Sequence, residues 1–155
     1  MSDTVSPEKR SAMMAGIRAK DTKPELTVRK ALHTGGFRFR LHNRMLPGSP
    51  DIVLARHRVA IFVHGCFWHL HRNCKLSKIP ATRTDFWTQK LTGNASRDTQ
   101  ATDQLLALGW RVLVVWECHI RSHRDPSELI HQLSQWISGS DSFGQLPDVP
   151  KSIAG

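Results

Sequence analysis

The stretch that organises this 155-residue chain is Val59-Ala-Ile-Phe-Val-His-Gly-Cys-Phe-Trp-His-Leu-His-Arg-Asn-Cys74. It opens as an apolar, strand-like run and continues with two of the three cysteines, three of the nine histidines and two adjacent aromatics. A buried strand would not carry three imidazoles and an arginine, because a buried polar group without a partner is costly. We therefore interpret residues 64–74 as a loop folded around a metal and placed beside a reactive site.

Length and cysteine content indicate one domain without disulfides. A chain of 155 residues can bury a single core. We predict one domain over residues 1–138, which begins with an arm over residues 1–20, and a flexible tail over residues 139–155. Three cysteines, an odd number, favour metal ligation or free thiols over a disulfide framework.

The chain shows no membrane or export signal. No apolar run is long enough to cross a bilayer, and residues 1–20 lack a hydrophobic signal region. We therefore predict a cytoplasmic protein without a membrane partner.

Positive charge is concentrated in the first part of the chain. The formal net charge is +9; residues 1–58 hold 12 Lys and Arg against 5 Asp and Glu, and residues 59–155 hold 10 against 8. Such a basic region is typical of a nucleic-acid binder. The alternative is a basic surface that only keeps the protein soluble.

Patterns of apolar residues predict alternating helices and strands. Capping signals and helical spacing predict helices over residues 6–19, 23–34, from 80–87 onward, 94–108 and 126–137. Short apolar or alternating runs predict strands over residues 37–42, 51–55, 59–63 and 110–116.

This order of elements predicts an α/β fold in which a mixed sheet has helices on both sides. The first three strands are close enough in sequence to be antiparallel. The fourth follows a helix and is predicted to be parallel to its neighbour. In the second helix, Thr22 and Glu25 have capping-box spacing, so Glu25 has a structural explanation.

One constellation of residues indicates zinc. Cys66, His71 and Cys74 have C-x4-H-x2-C spacing, and Cys118 follows the fourth strand. Thiolate and imidazole ligands favour zinc, and four protein ligands make a closed structural site. His69 could replace His71 on spacing alone, and three buried reduced cysteines without a metal are the alternative.

Asp51, at the start of a hairpin strand, is a candidate ligand for Mg²⁺. Hard cations prefer oxygen ligands and keep several waters, so a carboxylate here could hold Mg²⁺ beside a phosphate. The next strand lacks the carboxylate-x-Lys triplet that many metal-dependent nucleases carry. An aspartate that merely ends a turn is the alternative interpretation.

Two aromatic pairs lie in polar, basic surroundings: Phe67-Trp68 and Phe86-Trp87. Aromatic rings in such places can stack on bases or enter the base stack as a wedge. The alternative is that all four rings belong to the core.

Together, four blocks resemble the very short patch repair DNA mismatch endonuclease family. They are His-Gly-Cys-Phe-Trp-His at 64–69, Pro-Ala-Thr-Arg-Thr-Asp-Phe-Trp at 80–87, Gly-Trp-Arg-Val-Leu-Val-Val-Trp-Glu-Cys at 109–118 and Leu-Pro-Gly-Ser-Pro-Asp at 46–51. The resemblance extends over residues 7–138 and leaves only the tail outside it. Ser49 departs from it, because related sequences often have a basic residue at that position.

The resemblance implies a fold like that of the type II restriction endonucleases and a strand-specific nick. Members of the family recognise the T·G mismatch left when 5-methylcytosine deaminates, and they cut the DNA 5′ to the mispaired thymine. The implied partner is duplex DNA with such a mismatch, and mismatch-repair proteins are candidate partners. We expect a monomer that acts on the nucleoid.

Carried over to this chain, the resemblance assigns the catalytic Mg²⁺ to the Asp51 carboxylate and the Val63 backbone carbonyl. It makes His69 the general base or proton shuttle, with His64 assisting it. Glu25 would contribute through a water molecule.

The same resemblance assigns the remaining roles. Phe67, Trp68 and Trp87 would form a wedge that enters the duplex beside the mismatch, and Met14 would reach in from the opposite groove. The structural zinc would be held by Cys66, His71, Cys74 and Cys118.

Two other functions remain open at this point. A zinc-stabilised DNA-binding module without catalysis explains the charge, the cysteines and the aromatics, but leaves Asp51 and His69 without a task. A nuclease of the same fold with relaxed specificity is the third interpretation.

Overall fold

A computed structural model describes residues 22–122 and 125–148. The predictions for the first helix, the N-terminal arm and Met14 concern residues outside these ranges. Within them, no helix is both long and apolar enough to cross a membrane.

The centre of the fold is a five-stranded mixed sheet in the order β1-β2-β3-β4-β5. Its strands are Arg40–Leu41, Ile52–Leu54, Val59–His64, Arg111–Trp116 and Phe143–Leu146. The first three strands pair antiparallel, as predicted. Strand β4 is parallel to both β3 and β5, which confirms the prediction of a parallel partner for the apolar run.

In the described part of the chain, four α-helices and a short 3-10 helix surround the sheet. The helices are α1 (Lys23–Thr34), α2 (Thr84–Ala107), α3 (Glu117–Ser122) and α4 (Pro126–Ser138), and the 3-10 helix covers Lys75–Ser77. The Thr22 side chain caps α1 by accepting a hydrogen bond from the backbone N–H of Glu25 at 3.3 Å, and Asp125 caps α4.

Helices cover both faces of the sheet, which confirms the predicted layers. On one face α1 and α4 contribute a cluster that includes Val28, Leu32, Leu129 and Leu133. On the other face α2 contributes Leu105 to a cluster with Ala60, Phe62, Val112 and Val114. Because β3 and β4 lie between these layers, their side chains are almost all buried, and the apolar runs at 59–63 and 112–115 follow from that position.

The structure corrects the predicted tail. Phe143–Leu146 pairs in parallel with β4, with Val112 opposite Phe143 and Val115 opposite Leu146. The Gly- and Ser-rich composition after Gly139 suggested irregular chain, but the exposed edge of β4 gives this segment a hydrogen-bonding partner.

Helix α2 is also longer than predicted. It runs without a break from Thr84 through Gly93 to Ala107, and Arg83 at its N-cap makes no side-chain capping bond. Leu91 and Leu105 are both fully buried, so packing on either side of Gly93 outweighs the weak helix propensity of glycine. The apolar spacing of residues 94–108 placed Leu108 toward the core with Leu105 and Leu106, but Leu108 is exposed at the C-cap.

The alternation expected over residues 37–42 is interrupted near its end. Only Arg40–Leu41 form strand β1. The alternation placed Leu41 on the buried face with Phe37 and Phe39, but it is 40% exposed. His42 then takes a left-handed conformation, with φ at 50°, which ends the strand geometry. In α1, the apolar spacing grouped Leu26 with Val28 and Leu32 on the core-facing side, but Leu26 is exposed.

Candidate active site and metal centre

A cleft of about 540 Å³ opens where the start of β2, the end of β3, the first turn of α1 and the middle of α2 come together. The parallel strands β3 and β4 end at the same edge of the sheet, because His64, the last residue of β3, lies opposite Trp116, the last residue of β4. Six site residues predicted from the sequence line this cleft: Glu25, Asp51, Val63, His64, Trp68 and His69.

Asp51 lies just before β2, and its position is set by β3. Its Oδ2 accepts a hydrogen bond from the backbone N–H of Val63 at 2.8 Å. Burial raises the pKa of Asp51 to about 6, and the nearby Glu25 carboxylate adds to that rise, against the lowering effect of the Val63 N–H. A nearby cation stabilises the charged form of a buried carboxylate whose pKa is raised, so the Asp51 carboxylate is suited to bind a metal ion.

Glu25 does more than the capping interpretation suggested. Its backbone N–H takes part in the cap, but its side chain is only 3% exposed and forms an ion pair with Arg29. Its Oε2 also lies 3.1 Å from Nε2 of His42. The ligand atoms of Glu25, His42 and Asp51 lie within 4.8 Å of one another, which is close enough for a shared cation.

His42 and Arg29 were not among the predicted site residues. The alternation of residues 37–42 placed His42 on the exposed basic face, and only the left-handed turn at His42 directs its ring toward Glu25. No pattern in the sequence indicates that turn.

His69 forms a hydrogen-bonded pair with Asp98 of α2. The Nδ1–H of His69 donates to Oδ2 of Asp98 at 2.6 Å. This bond selects the tautomer of the imidazole, so that Nε2 of His69 remains an acceptor. An imidazole held in this way is arranged to take a proton from a water molecule.

His64 stacks on His69 and is buried. The two rings are nearly parallel, with 3.8 Å between their centroids. Burial holds the pKa of His64 well below its usual range, and the neighbouring His69 and His71 lower it further. His64 is therefore neutral at neutral pH and supports the His69 ring as an uncharged, flat surface.

Asp98 is the main residue of the cleft that sequence reasoning missed. In the helix predicted over residues 94–108, the pattern placed Asp98, with Arg97 and Asp103, on the face expected to meet water. The available signal was helical spacing, since Asp98 lies 11 residues after Trp87 in one continuous helix. That signal was lost because the helix was predicted as two.

A second cluster contains the four predicted zinc ligands. Ligand atoms of Cys66, His71, Cys74 and Cys118 lie within 4.8 Å of one another. Nδ1 of His71 is 3.6 Å from Sγ of Cys66 and 3.5 Å from Sγ of Cys118. His71, and not His69, belongs to this cluster, so the structure decides a choice that spacing left open.

The surroundings of this cluster fit a bound cation. Burial raises the pKa of the Cys66 thiol, and burial also raises the pKa of Cys118. Thiols in such a place become thiolates only when a positive charge compensates them, and soft thiolates with an imidazole suit zinc. The His71 ring is stacked on Trp116, with 4.0 Å between centroids, which orients its Nδ1 toward the sulfurs.

The four aromatic rings form one half-exposed cluster at the edge of the cleft. Trp68 and Phe67 are 5.0 Å apart, Phe67 and Trp87 5.4 Å, and Trp87 and Phe86 5.2 Å, measured between centroids. None of these four side chains is buried. The interpretation in which all four rings are core is therefore wrong.

Comparisons with known proteins agree on one family. The model described as "DNA mismatch endonuclease Vsr" matches residues 2–76. The chain is 41% identical over 148 residues to the DNA mismatch endonuclease Vsr of Escherichia coli (strain K12), with 94% of each chain covered. It is 48% identical over 120 residues to the type II nicking enzyme V.XorIIP of Xanthomonas oryzae pv. oryzae, covering 77% of this chain and 88% of the relative.

Proposed function

Because this chain belongs to the Vsr family of DNA mismatch endonucleases and is therefore a DNA endonuclease, we propose that it nicks duplex DNA 5′ to the thymine of a T·G mismatch. The mismatches in question arise when 5-methylcytosine deaminates, and the nick would initiate very short patch repair. The observation that carries the proposal is the cleft itself. It places Asp51 and the His69–Asp98 pair beside a half-exposed aromatic cluster.

The noncatalytic alternative does not hold. The relatives are named as an endonuclease and as nicking enzymes, and one of them aligns over 94% of this chain. The His69–Asp98 pair agrees with catalysis, since a module that only binds DNA has no need of an oriented proton acceptor.

We propose Mg²⁺ as the catalytic cation, held by the Asp51 carboxylate and the Val63 carbonyl. When bound, Mg²⁺ would neutralise charge that develops on the scissile phosphate. Oxygen ligands of this kind suit a hard cation that keeps several of its waters, and Glu25 is close enough to bind one of those waters.

His69 would accept the proton of the attacking water at Nε2. Asp98 would stabilise the imidazolium that forms, because its carboxylate accepts the Nδ1 proton of the same ring. His64 would assist by holding the ring in its stacked position. Asp98 is therefore added to the catalytic residues that the family resemblance assigned, although the sequence did not single it out.

We propose that Phe67, Trp68 and Trp87 act as the wedge that distinguishes a mismatch. A T·G pair is held less firmly than a matched pair, so unstacking beside it costs less. The rings lie at the rim of the cleft, where they could enter a duplex whose backbone reaches Asp51. The proposed contact of Met14 lies outside the described residues.

We propose zinc for the cluster of Cys66, His71, Cys74 and Cys118. It would hold the loop that carries Phe67, Trp68 and His69, since these residues lie between two of its ligands. We further propose a fold of the type II restriction endonuclease kind, a monomeric enzyme and action on nucleoid DNA in the cytoplasm. Mismatch-repair proteins are the candidate partners.

The metal assignment is tested with Asp51→Asn. Nicking of a T·G duplex should require Mg²⁺ in the wild type and fall by at least about a hundredfold in the variant, because a carboxylate ligand is lost. Binding to the same duplex in an electrophoretic shift assay should persist. Asp103→Asn, an exposed site on α2, is the matched control. A variant that nicks at the wild-type rate would contradict the role of Asp51.

A further inference from the structure

Helix α2 contains a buried polar side chain for which the proposed mechanism has no task. Asn94 is only 6% exposed and lies on the helix face that turns toward the cleft. Trp87 precedes it by seven residues and Asp98 follows it by four, so all three occupy one face of the helix. A buried amide needs partners, and the identity of those partners indicates what Asn94 does.

Both ends of the Asn94 amide are hydrogen-bonded. Its Nδ2 donates to the backbone carbonyl oxygen of Trp68 at 3.0 Å. Its Oδ1 accepts a hydrogen bond from Nη2 of Arg97. Because Arg97 can only donate, this contact directs the NH₂ end of the amide toward the loop that carries Trp68.

The carbonyl that Asn94 binds belongs to the peptide that joins Trp68 to His69. One helical turn later, Asp98 accepts the Nδ1–H of that same His69 at 2.6 Å. Helix α2 therefore holds the backbone before His69 through Asn94 and the ring of His69 through Asp98. At the N-terminal end of the helix, the Trp87 ring lies 5.9 Å from the Trp68 ring.

We propose that Asn94 is a positioning residue that couples the aromatic wedge to the proton acceptor. A shift of Trp68 on entering the duplex moves the Trp68–His69 peptide. Because Asn94 binds the carbonyl of this peptide, the peptide and the helix that carries Asp98 move together. Wedge insertion and alignment of His69 are then one structural event. The inference rests on the proposed function and deepens it by assigning a residue to the link between recognition and catalysis.

Asn94→Asp is the principal test, because it keeps the size of the side chain and the partner of Arg97 but removes the donor to Trp68. The single-turnover nicking rate on saturating T·G duplex should fall about five- to tenfold, the usual effect of one lost hydrogen bond. Affinity for matched duplex should stay within twofold of the wild type. Thr92→Asp adds the same charge on the exposed face of α2 and should leave both quantities unchanged.

A second readout does not depend on DNA. Hydrogen exchange of the segment 66–70, followed by mass spectrometry on the zinc-loaded protein, should speed up in Asn94→Asp and not in Thr92→Asp. If the wild type fails to nick T·G duplex, the proposed function is wrong, while this exchange measurement still tests the role of Asn94.

Arg97→Gln is the second variant, and it keeps the inference testable if Asn94→Asp loses zinc or unfolds. Arg97 is exposed, so its loss should not disturb the core, but the Asn94 amide would lose the contact that orients it. We expect faster exchange of the segment 66–70 and a smaller loss of nicking. A zinc-loaded Asn94→Asp or Arg97→Gln with wild-type exchange and wild-type nicking would overturn the inference.

Discussion

Asp51 and Asp98 are both carboxylates of the cleft, but their surroundings prepare them for different tasks. Burial and the nearby Glu25 raise the pKa of Asp51 to about 6, so a cation is the natural partner of its charged form. Asp98 is partly exposed and receives the Nδ1–H of His69. Protons should compete with Mg²⁺ for Asp51, and metal binding should weaken as the pH falls through about 6.

Asp98→Asn is the most informative single substitution beside His69. An asparagine can still approach Nδ1, but it brings no charge to stabilise the imidazolium and can accept or donate, so the tautomer is no longer determined. We expect the single-turnover rate to fall about 10²–10⁴-fold, the range associated with acid–base catalysis. Rapid-quench nicking of a T·G duplex measures it, again with Asp103→Asn as control.

Affinity for the T·G duplex should stay unchanged in Asp98→Asn, because the role proposed for Asp98 acts through its hydrogen bond to His69. If Asp98→Asn nicked within a few-fold of the wild type, the hydrogen bond to His69 would have no catalytic role.

At the residue scale, the sequence indicated candidate ligands better than the residues that position them. Cysteine and histidine spacing indicated the sulfur cluster, and Asp51 could be selected because it follows a turn and begins a strand. Asp98, His42 and Asn94 could not be selected, since a polar residue on a helix or strand is usually solvated. Only the packing of α2 directs Asp98 and Asn94 into the cleft, and only the left-handed turn at His42 brings its ring beside Glu25.

At the scale of elements, the loop between β3 and the 3-10 helix should depend on the cation proposed for the cluster of Cys66, His71, Cys74 and Cys118. Residues 65–74 contain no α-helix or strand, and their stacked, buried His71 ring is fixed between Trp116 and two sulfurs. Since this loop also carries Trp68 and His69, loss of the cation should disturb recognition and chemistry together.

Cys118→Ala should lower zinc content below one ion per chain and reduce thermal stability. A structural site with three ligands binds zinc more weakly, and its binding energy is part of the folding energy. We expect a fall in melting temperature of at least about 5 °C, measured by calorimetry beside metal analysis of the same sample. Arg121→Ala on the same short helix is the control. Wild-type protein that purifies without zinc and melts as cooperatively as a zinc-loaded sample would contradict the assignment.

Elements were predictable where their pattern was local. Helices α1 and α4 carry caps and apolar spacing, and β3 and β4 are long apolar runs, so each was predicted within a few residues. Strand β5 was missed because its pairing partner, β4, lies about 30 residues earlier and the segment itself is rich in Gly and Ser. Helix α2 was predicted as two helices because Gly93 weakens the local signal, whereas in the structure Leu91 and Leu105, on either side of Gly93, are both fully buried.

At the scale of the whole molecule, general affinity for DNA and preference for a mismatch are expected to come from different features. Between Glu25 and Asp85 the chain holds 11 Lys and Arg and a single acidic residue, Asp51. This excess gives affinity for any duplex and makes that affinity depend on salt. Preference for a mismatch must come from elsewhere, and the aromatic cluster beside the cleft is the candidate.

Trp68→Ala should reduce the preference for T·G over matched DNA while leaving general binding intact. Stacking of one base on an aromatic ring is worth about 1–3 kcal/mol, so a ten- to hundredfold loss of preference is expected. Competition titrations of both duplexes at two salt concentrations measure it, with Phe143→Ala as an exposed aromatic control away from the cluster. Equal losses on both duplexes would mean that Trp68 supports the fold and not the recognition.

The central claim is tested most directly by mapping the cut at single-nucleotide resolution. Each strand of a T·G duplex and of its A·T and G·C counterparts is end-labelled in turn, and the enzyme is added with Mg²⁺ under single-turnover conditions. We predict one product, cut 5′ to the mispaired thymine on the thymine strand, and at least about a hundredfold slower cutting of the matched duplexes, a ratio that one or two stacking interactions can supply. Cuts on both strands, or equal rates on all three duplexes, would contradict the account.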